Sequence, residues 1–390
     1  MNKNIKLKYL CRSYSSNLSA GSLGKEGYPV YGAAKIMGYS SAPQETKDYL
    51  GIVKDGAGVG RIQKYPANSS LLGTMAYIIP NEDIDIDWLM YAIQSLDLGK
   101  SVDKTTIPHI YFSDYGNRVI PYISRGEQTI IANFLNVQTK NIETSVAKHQ
   151  EIINELEEYR MSIITHAVLK GLDNNKFVSS EEEWLGDIPE GWQVRRIGTL
   201  FRETNERGNE QLPILTVSIN DGISNKELSE EESVRNFVRS EDKSKYKRMI
   251  PGDIVYNMMR AWQGAFGAAR IEGMVSPAYV TARPIAKIDS RYYEYLMRTD
   301  VAAKEFEKYS RGIADFRLRL YWPDFKTIKV CTPPYEEQVK IADYLDEQYD
   351  NISQAIQQHM EIIKRLEEYQ KSVIYHAVTG SIDCEEVQNG

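Results

Sequence analysis

Gly56-Ala57-Gly58-Val59-Gly60 is the stretch whose spacing comes nearest to a phosphate cradle, since closely set glycines let backbone N–H groups approach a pyrophosphate. A dinucleotide fingerprint needs a helix directly behind the glycines, and RIQKYP follows instead. The string therefore predicts a β-hairpin turn. Pro323-Asp324 followed by Lys326 lacks the acidic partner of a nuclease site, and Ser276-Pro277-Ala278-Tyr279 lacks the second proline of an amino-methyltransferase loop. No glycine-rich cofactor loop accompanies the latter, so a strand-and-turn role is expected there. GxxxxGK[ST], HExxH and CxxC are all missing, which removes a phosphate-binding motor loop and the usual metal sites. The residues predict a chain without catalytic chemistry or a metal of its own.

The elements around these strings are more informative. Residues 127–168 and 337–378 align without a gap at an offset of 210, with about half the positions identical. Each copy reads as one long charged helix with a 3-4 apolar spacing: Leu135, Ile142, His149, Ile152, Leu156 and Tyr159 in the first, and Leu345, Ile352, His359, Ile362, Leu366 and Tyr369 in the second. That spacing is the seam of a coiled coil. Gln138, Gln348, His149 and His359 put polar groups on the seam, where they would fix register. Helix stops are expected near Gly171 and Gly380. Some 43 residues at 1.5 Å each reach roughly 65 Å. The chain order predicts antiparallel pairing, with a globular block at each end of a rod and a pseudo-two-fold axis between them.

The blocks alternate β-patterned runs with glycines: KDYLGIVKDGAGVGRIQKY in the first and KRMIPGDIVYNMMRAWQGAFGAARI in the second. AGVGRI at 57–62 is matched here to FGAARI at 266–271, and IYFSDYGNRVIP at 110–121 to LYWPDFKTIKVC at 320–331. The expected organisation is a block at 1–126, a helix at 127–170, a polar linker at 171–183, a block at 184–335, a helix at 336–380 and a tail at 381–390. Fold class is α+β, two globular α/β domains joined by two long helices.

Charge divides by module. The net of −7 separates into +3 for residues 1–126, +3 for 184–335 and −13 for the remainder, so global acidity is no argument against a nucleic-acid partner. Three scattered cysteines suggest neither a metal knuckle nor a disulfide framework. No apolar run reaches membrane-span length and the first residues hold no signal-peptide core, so a cytoplasmic home without a membrane is expected.

Several strings carry a resemblance: WLGDIPEGWQV at 184–194, GDIVYNMMRAWQGAFGAA at 252–269, GMVSPAYV at 273–280, GIADFRLRLYWPDF at 312–325, and PPYEEQ leading into IADYLDEQ. With the repeated helix ends LEEYRMSIITHAVLKG and LEEYQKSVIYHAVTG, they resemble the DNA specificity (S) subunit of type I restriction–modification systems. Residues 1–108 match less well, and WLGDIPEGW has no counterpart before Ile5. The resemblance implies two target recognition domains, each reading half of a split double-stranded DNA sequence, and helices that set the gap. It also implies two methyltransferase (M) subunits docked on the helices and restriction (R) subunits beside them. S-adenosylmethionine, ATP and Mg²⁺ would belong to those partners.

On that implication, base-reading and phosphate-holding groups are sought among Arg, Lys and Gln on polar loops. The candidates are Lys35, Lys54, Arg61 and Lys64 in the first block. In the second they are Lys245, Lys247, Arg248, Arg260, Gln263, Arg311, Arg317 and Arg319. The plainer reading of each basic residue is a solvated position or an ion pair. The competing reading of the whole is a pseudo-dimeric coiled-coil scaffold whose end domains bind protein.

Overall fold

The computed structural model describes residues 3–56, 58–101, 108–173, 176–209, 211–219, 222–224, 245–312 and 318–384. They divide into two units, residues 1–151 with 359–390, and residues 152–358.

Both units contain the same antiparallel four-stranded sheet. In the first the strands lie in the order Cys11–Ser15, Met75–Pro80, Tyr49–Val53, Ile62–Tyr65; in the second, Phe201–Thr204, Tyr279–Pro284, Ile254–Asn257, Phe266–Ala268. Register agrees pair for pair. Ile52 faces Ala76 as Tyr256 faces Val280, and Leu50 faces Lys64 as Ile254 faces Ala268. Equivalent positions in this part therefore stand 204 apart, not 210, and Ile62 corresponds to Phe266. The expected match of AGVGRI to FGAARI is thus wrong by five residues: Arg61-Ile62 enters an edge strand, whereas Arg270-Ile271 follows one.

Alternation along these strands feeds two cores, because successive side chains point to opposite sheet faces. Leu50, Ile52, Ile62, Ala76 and Ile78 pack with helical residues on one face, while Tyr49, Val53, Tyr65, Met75 and Tyr77 form a small core on the other. In the second unit Ile254, Tyr256, Phe266, Val280 and Ala282 take the helical side, and Val255, Ala269 and Tyr279 the other. Burial of each large apolar side chain contributes about 1.5–3 kcal/mol.

A shorter strand pair leads from each block to its long helix. Lys3–Lys6 pairs with Val119–Tyr122, and Gln193–Arg196 with Lys329–Thr332. The helices follow at Arg125–Lys170 and Tyr335–Val378. The first opens on a capping box: the Ser124 N–H donates to Glu127 Oε2 at 2.8 Å, and the Glu127 N–H donates to Ser124 Oγ at 3.4 Å. Those bonds to Ser124 hold the Glu127 carboxyl below its ordinary pKa. Gly171 (φ 77°) and Gly380 (φ 74°) supply the left-handed residues that end the helices, where a Cβ would be strained.

The helices run antiparallel within each unit. In the first, residues 132–135 and 373–378 share one apolar cluster while His149 meets His359. In the second, Ile164 to Leu169 share a cluster with Ile341 and Leu345, and Arg160 stacks 5.0 Å from the Tyr349 ring centroid. Leu135, Ile142, Leu345 and Ile352 are buried on the seam, and His149, Ile152, Leu156, His359 and Leu366 are half-buried. Tyr159, Tyr369 and Ile362 are corrections: they are 57%, 55% and 38% exposed. A 3.6-residue helix drifts about 20° per heptad from a strict seven-residue repeat. The inward position accordingly passes to Ile153 and Ile164 in one helix and to Ile374 in the other, while Val373, on the strict repeat from Leu366, is buried as the seam spacing expects.

The stretch read as a polar linker also differs. Phe177–Ser179 pairs with Asp187–Pro189, and Leu185, Ile188 and Trp192 of that hairpin enter the large core. The three residues of the first strand expose their side chains, so the sequence shows polarity while the backbone is paired.

Candidate nucleic-acid interface

The hairpin turn after the third strand is equivalent in the two units. It closes on Gly60 (φ 85°) in one and Gly264 (φ 84°) in the other. A Cβ at Gly60 would stand 2.8 Å from the Gly99 backbone nitrogen, so both conformation and space call for glycine. Each turn also anchors the segment that runs back to the long helix: the Ile110 N–H donates to Lys54 O at 3.0 Å, and the Leu320 N–H to Met258 O at 2.9 Å. Gly56 and residues 58–60 thus lie in the hairpin turn that the missing helix predicted, with Ala57 outside the described residues, and Ser276–Ala278 is the turn between two strands.

In the first unit, Lys35 and Lys64 come together beside the edge strand Ile62–Tyr65. With Tyr31, Gln63 and Tyr65 they line an open cavity of about 370 Å³. Lys35 sits on a tight turn closed by the Gly32 N–H donating to its carbonyl at 2.9 Å. Arg61 holds that hairpin by donating from Nη2 to Ala33 O at 2.9 Å, and Lys64 Nζ lies 3.1 Å from Asp87. Lys54 is elsewhere, 2.7 Å from Asp55, which also meets His109 Nδ1 at 2.7 Å. Burial pushes the Asp55 carboxyl up, but the bonds to Lys54 and His109 outweigh it and leave its pKa below the ordinary value. Lys54 does not line the cavity.

In the second unit the turn 257–265 carries Arg260 and Gln263. Asn257 shapes it: its Oδ1 accepts from the Met259 N–H at 3.0 Å and its carbonyl from the Arg260 N–H at 3.0 Å. Trp262 donates from Nε1 to Met259 O at 3.0 Å and is half-buried. Arg311 and Arg319 exchange backbone hydrogen bonds of 2.9 and 3.0 Å, next to Leu320, which the turn holds. Arg311 also pairs with Asp324. These four residues therefore gather at one end of the sheet. Arg317 lies outside the described residues.

The remaining three stand apart, on or beside the strand Lys247–Met249. Lys245 is exposed. Lys247 turns inward and donates to Tyr279 O at 2.8 Å, and burial lowers its pKa despite Glu203 nearby. Arg248 lies 2.7 Å from Glu272 and 3.6 Å from Glu206. Lys247 is a correction to the expectation of an exposed reader, since pairing with a carbonyl inside the fold removes it from a surface.

Two residues that the pattern did not single out tie the blocks to the helices. Gln128 and Gln338, each 1% exposed, occupy equivalent helix positions. Gln128 Oε1 accepts from the Asp85 N–H at 2.8 Å, and its Nε2 donates to Ile123 O at 3.0 Å. Gln338 does the same with Asp289 (2.9 Å) and Pro333 (2.8 Å). Asp85 and Asp289 are themselves the N-caps of the helices Ile86–Gln94 and Ser290–Met297. The one signal for these residues was their identity in both copies of the repeat. Among the described residues, no group of three or more His, Cys, Asp or Glu is placed to hold a metal. Nor is any helix there long and apolar enough to cross a membrane.

The described residues thus form a doubled α+β unit, each copy with its own polar cluster, beside the edge strand in the first and on the hairpin turn in the second, and its own clamp to a long helix. Residues 189–367 match the family described as type I restriction modification DNA specificity domain. The chain is 26% identical over 317 residues to the type I restriction enzyme MjaVIII specificity subunit of Methanocaldococcus jannaschii, covering 75% of this chain and 70% of that one. It is 20% identical to the EcoDI specificity subunit of Escherichia coli over 98% of this chain and 89% of that one. A solved chain from a study of complex assembly and conformational transition of the type I R-M system superposes with a TM-score of 0.66. It is 15% identical, covers 97% of this chain and 98% of its own, and is evidence for the fold alone. Residues 189–367 thus match the type I restriction modification DNA specificity domain, and the chain as a whole is similar to specificity subunits of type I restriction enzymes.

Proposed function

We propose that this subunit reads a bipartite duplex, one half-site per unit, and that its helices set the unread gap and dock methyltransferase subunits. One observation carries the reading. The same sheet and left-handed turn are built twice, but with different polar groups around them. Positions equivalent to Arg260 and Gln263 are Gly56 and Val59, and the first unit instead groups Lys35, Arg61, Gln63 and Lys64 beside its edge strand. A conserved frame with altered donors suits two different half-sequences, because Arg and Gln pair bidentately with base edges while lysines hold phosphates.

In this reading Arg260, Gln263, Arg311 and Arg319 face one half-site, and Lys35, Arg61 and Lys64 the other. Two M subunits would methylate and R subunits would cleave, with S-adenosylmethionine, ATP and Mg²⁺ bound by them. Gel shifts across a salt series, with the chain assembled on its M partner, test it. Affinity should fall linearly in log–log form by about 0.9 per phosphate neutralised, and scrambling either half-site should weaken binding. Binding that ignores salt and sequence would return the chain to the scaffold reading.

A further inference from the structure

Both units build the same junction between the hairpin turn and the segment returning to the long helix, with different side chains on it. The Ile110 N–H donates to Lys54 O as the Leu320 N–H donates to Met258 O. One residue earlier on the returning segment stand His109 and Arg319, and one residue later on the turn stand Asp55 and Met259. Burial agrees: Ile110 and Leu320 are buried, and His109 and Arg319 are exposed. Arg319 faces the second half-site under the proposed reading, so His109 holds its place in the first unit.

The backbone under His109 is fixed on both sides. The Gly56 N–H donates to Pro108 O at 3.0 Å, and Asp55 and His109 face each other across an isolated antiparallel bridge. Both carboxylate oxygens of Asp55 are engaged: Oδ2 stands 2.7 Å from Lys54 Nζ, and Oδ1 stands 2.7 Å from His109 Nδ1. An ionised carboxylate only accepts, so Nδ1 carries the proton, and in the neutral ring held this way Nε2 keeps its lone pair. Among the described residues Nε2 has no hydrogen-bond partner, and the side chain is 46% exposed. A lysine or arginine bound to a carboxylate must leave it to hold DNA. An imidazole need not, because its two nitrogens point away from each other.

We propose that His109 is a base-reading residue of the first unit, accepting through Nε2 the exocyclic amine of adenine or cytosine in the major groove, with Asp55 as the positioning residue that fixes its tautomer. A lone pair can take those amines and cannot take the carbonyls of guanine or thymine, so the choice is amino over keto bases on one strand. The assignment rests on the proposed reading of one half-site by each unit, and adds to it a residue and the chemistry of the base edge it recognises.

The test uses the full chain assembled with its methyltransferase partner, on duplex arrays with the two half-sites randomised in turn, at pH 8 and over a salt series. His109→Ala should lose the preference for amino over keto bases at one position of one half-site, by about two- to tenfold, the worth of one neutral hydrogen bond. Its salt slope should equal that of wild type. Asp55→Asn should relax the same position, because an amide can donate to Nδ1 and so admits the other tautomer. Arg319→Ala should relax the other half-site instead. A purely structural role for the Asp55–His109 pair would move thermal stability and leave base choice untouched. Should His109→Ala fail to fold, His109→Phe, which keeps a ring without nitrogens, must show the same loss. Unchanged base choice in these variants, with binding still sequence-specific, would overturn the assignment and leave DNA reading standing. Uniform weakening with a salt slope flatter by about one would overturn it too, since the ring would then hold a phosphate. Wild-type binding that ignores salt and sequence would remove DNA reading itself, and this assignment with it.

Discussion

On the proposed reading, the helices can be lengthened without altering the residues assigned to either half-site. The contact of His149 with His359 in the first unit sets the offset of an antiparallel pairing. Seven residues inserted between Glu151 and Ile152, and seven between Ile356 and Gln357, would place the added turns face to face. A heptad keeps the seam within about 20° of phase. At 1.5 Å per residue each helix grows by about 10 Å. With a base pair every 3.4 Å, that is about three base pairs of duplex. Three base pairs also turn the duplex by roughly 100°, given about 10 to 10.5 per turn, so the tolerated gap should stay narrow. Methylome sequencing of cells that express the lengthened chain with its methyltransferase partner reads the outcome. Both half-sites should keep their bases while the gap grows by about two to four. An unchanged gap with methylation retained, or a changed base in either half-site, would refute the ruler. Insertion into one helix alone leaves a heptad without a partner and should abolish methylation.

Replacing Gln338 with Leu strands the Asp289 N–H and the Pro333 carbonyl, which the amide now satisfies at 2.9 and 2.8 Å. At about 1–3 kcal/mol for each buried unpaired group, urea unfolding should register a loss of about 2–4 kcal/mol. Gln128→Leu should cost a similar amount, and a change below about 0.5 kcal/mol in both would remove the clamp from the account. Arg260→Ala or Gln263→Ala should relax base choice within one half-site by about 1–3 kcal/mol. Lys35→Ala should instead weaken all sequences alike and flatten the salt slope by about one. Binding arrays with the two half-sites randomised in turn separate these outcomes. Asp55→Asn should lower stability at pH 7 by about 0.5–1 kcal/mol. The Asp55 pKa is depressed in the fold, so its contribution exists above the ordinary carboxylate range and disappears as pH falls through the depressed value. Thermal melts at pH 7 and pH 3 should show the difference from wild type closing at the lower pH.

Fold class, the doubled plan and the helix ends were legible because the helices keep one offset of 210 from residue 127 to residue 168 with no insertion. The sheets keep the same hydrogen-bonded register but not the same spacing. Cys11 pairs with Pro80 as Phe201 pairs with Pro284, a step of 190 on one strand and 204 on the other. Chain added between those strands in the second unit erases the sequence match while leaving the geometry intact, and similar strings such as GVGRI and GAARI then align falsely. Side-chain commitments were hidden for a different reason. Lys247 and Arg248 adjoin in sequence, yet one meets Tyr279, 32 residues away, and the other Glu272, 24 away. Gln128 reads as one more polar residue on a charged helix until Asp85, 43 residues back, brings its backbone to it. What a residue type could do was therefore written locally, and what it is free to do was decided by distant partners. This separates the candidates: a cation with a carbonyl or carboxylate inside its own unit must give up that contact before it can hold a phosphate. Exposed Gln263, on the turn that Asn257 shapes, and exposed Arg319, next to the Leu320 that Met258 holds, have less to give up, which is why this end of the second unit is the better place to begin mutagenesis.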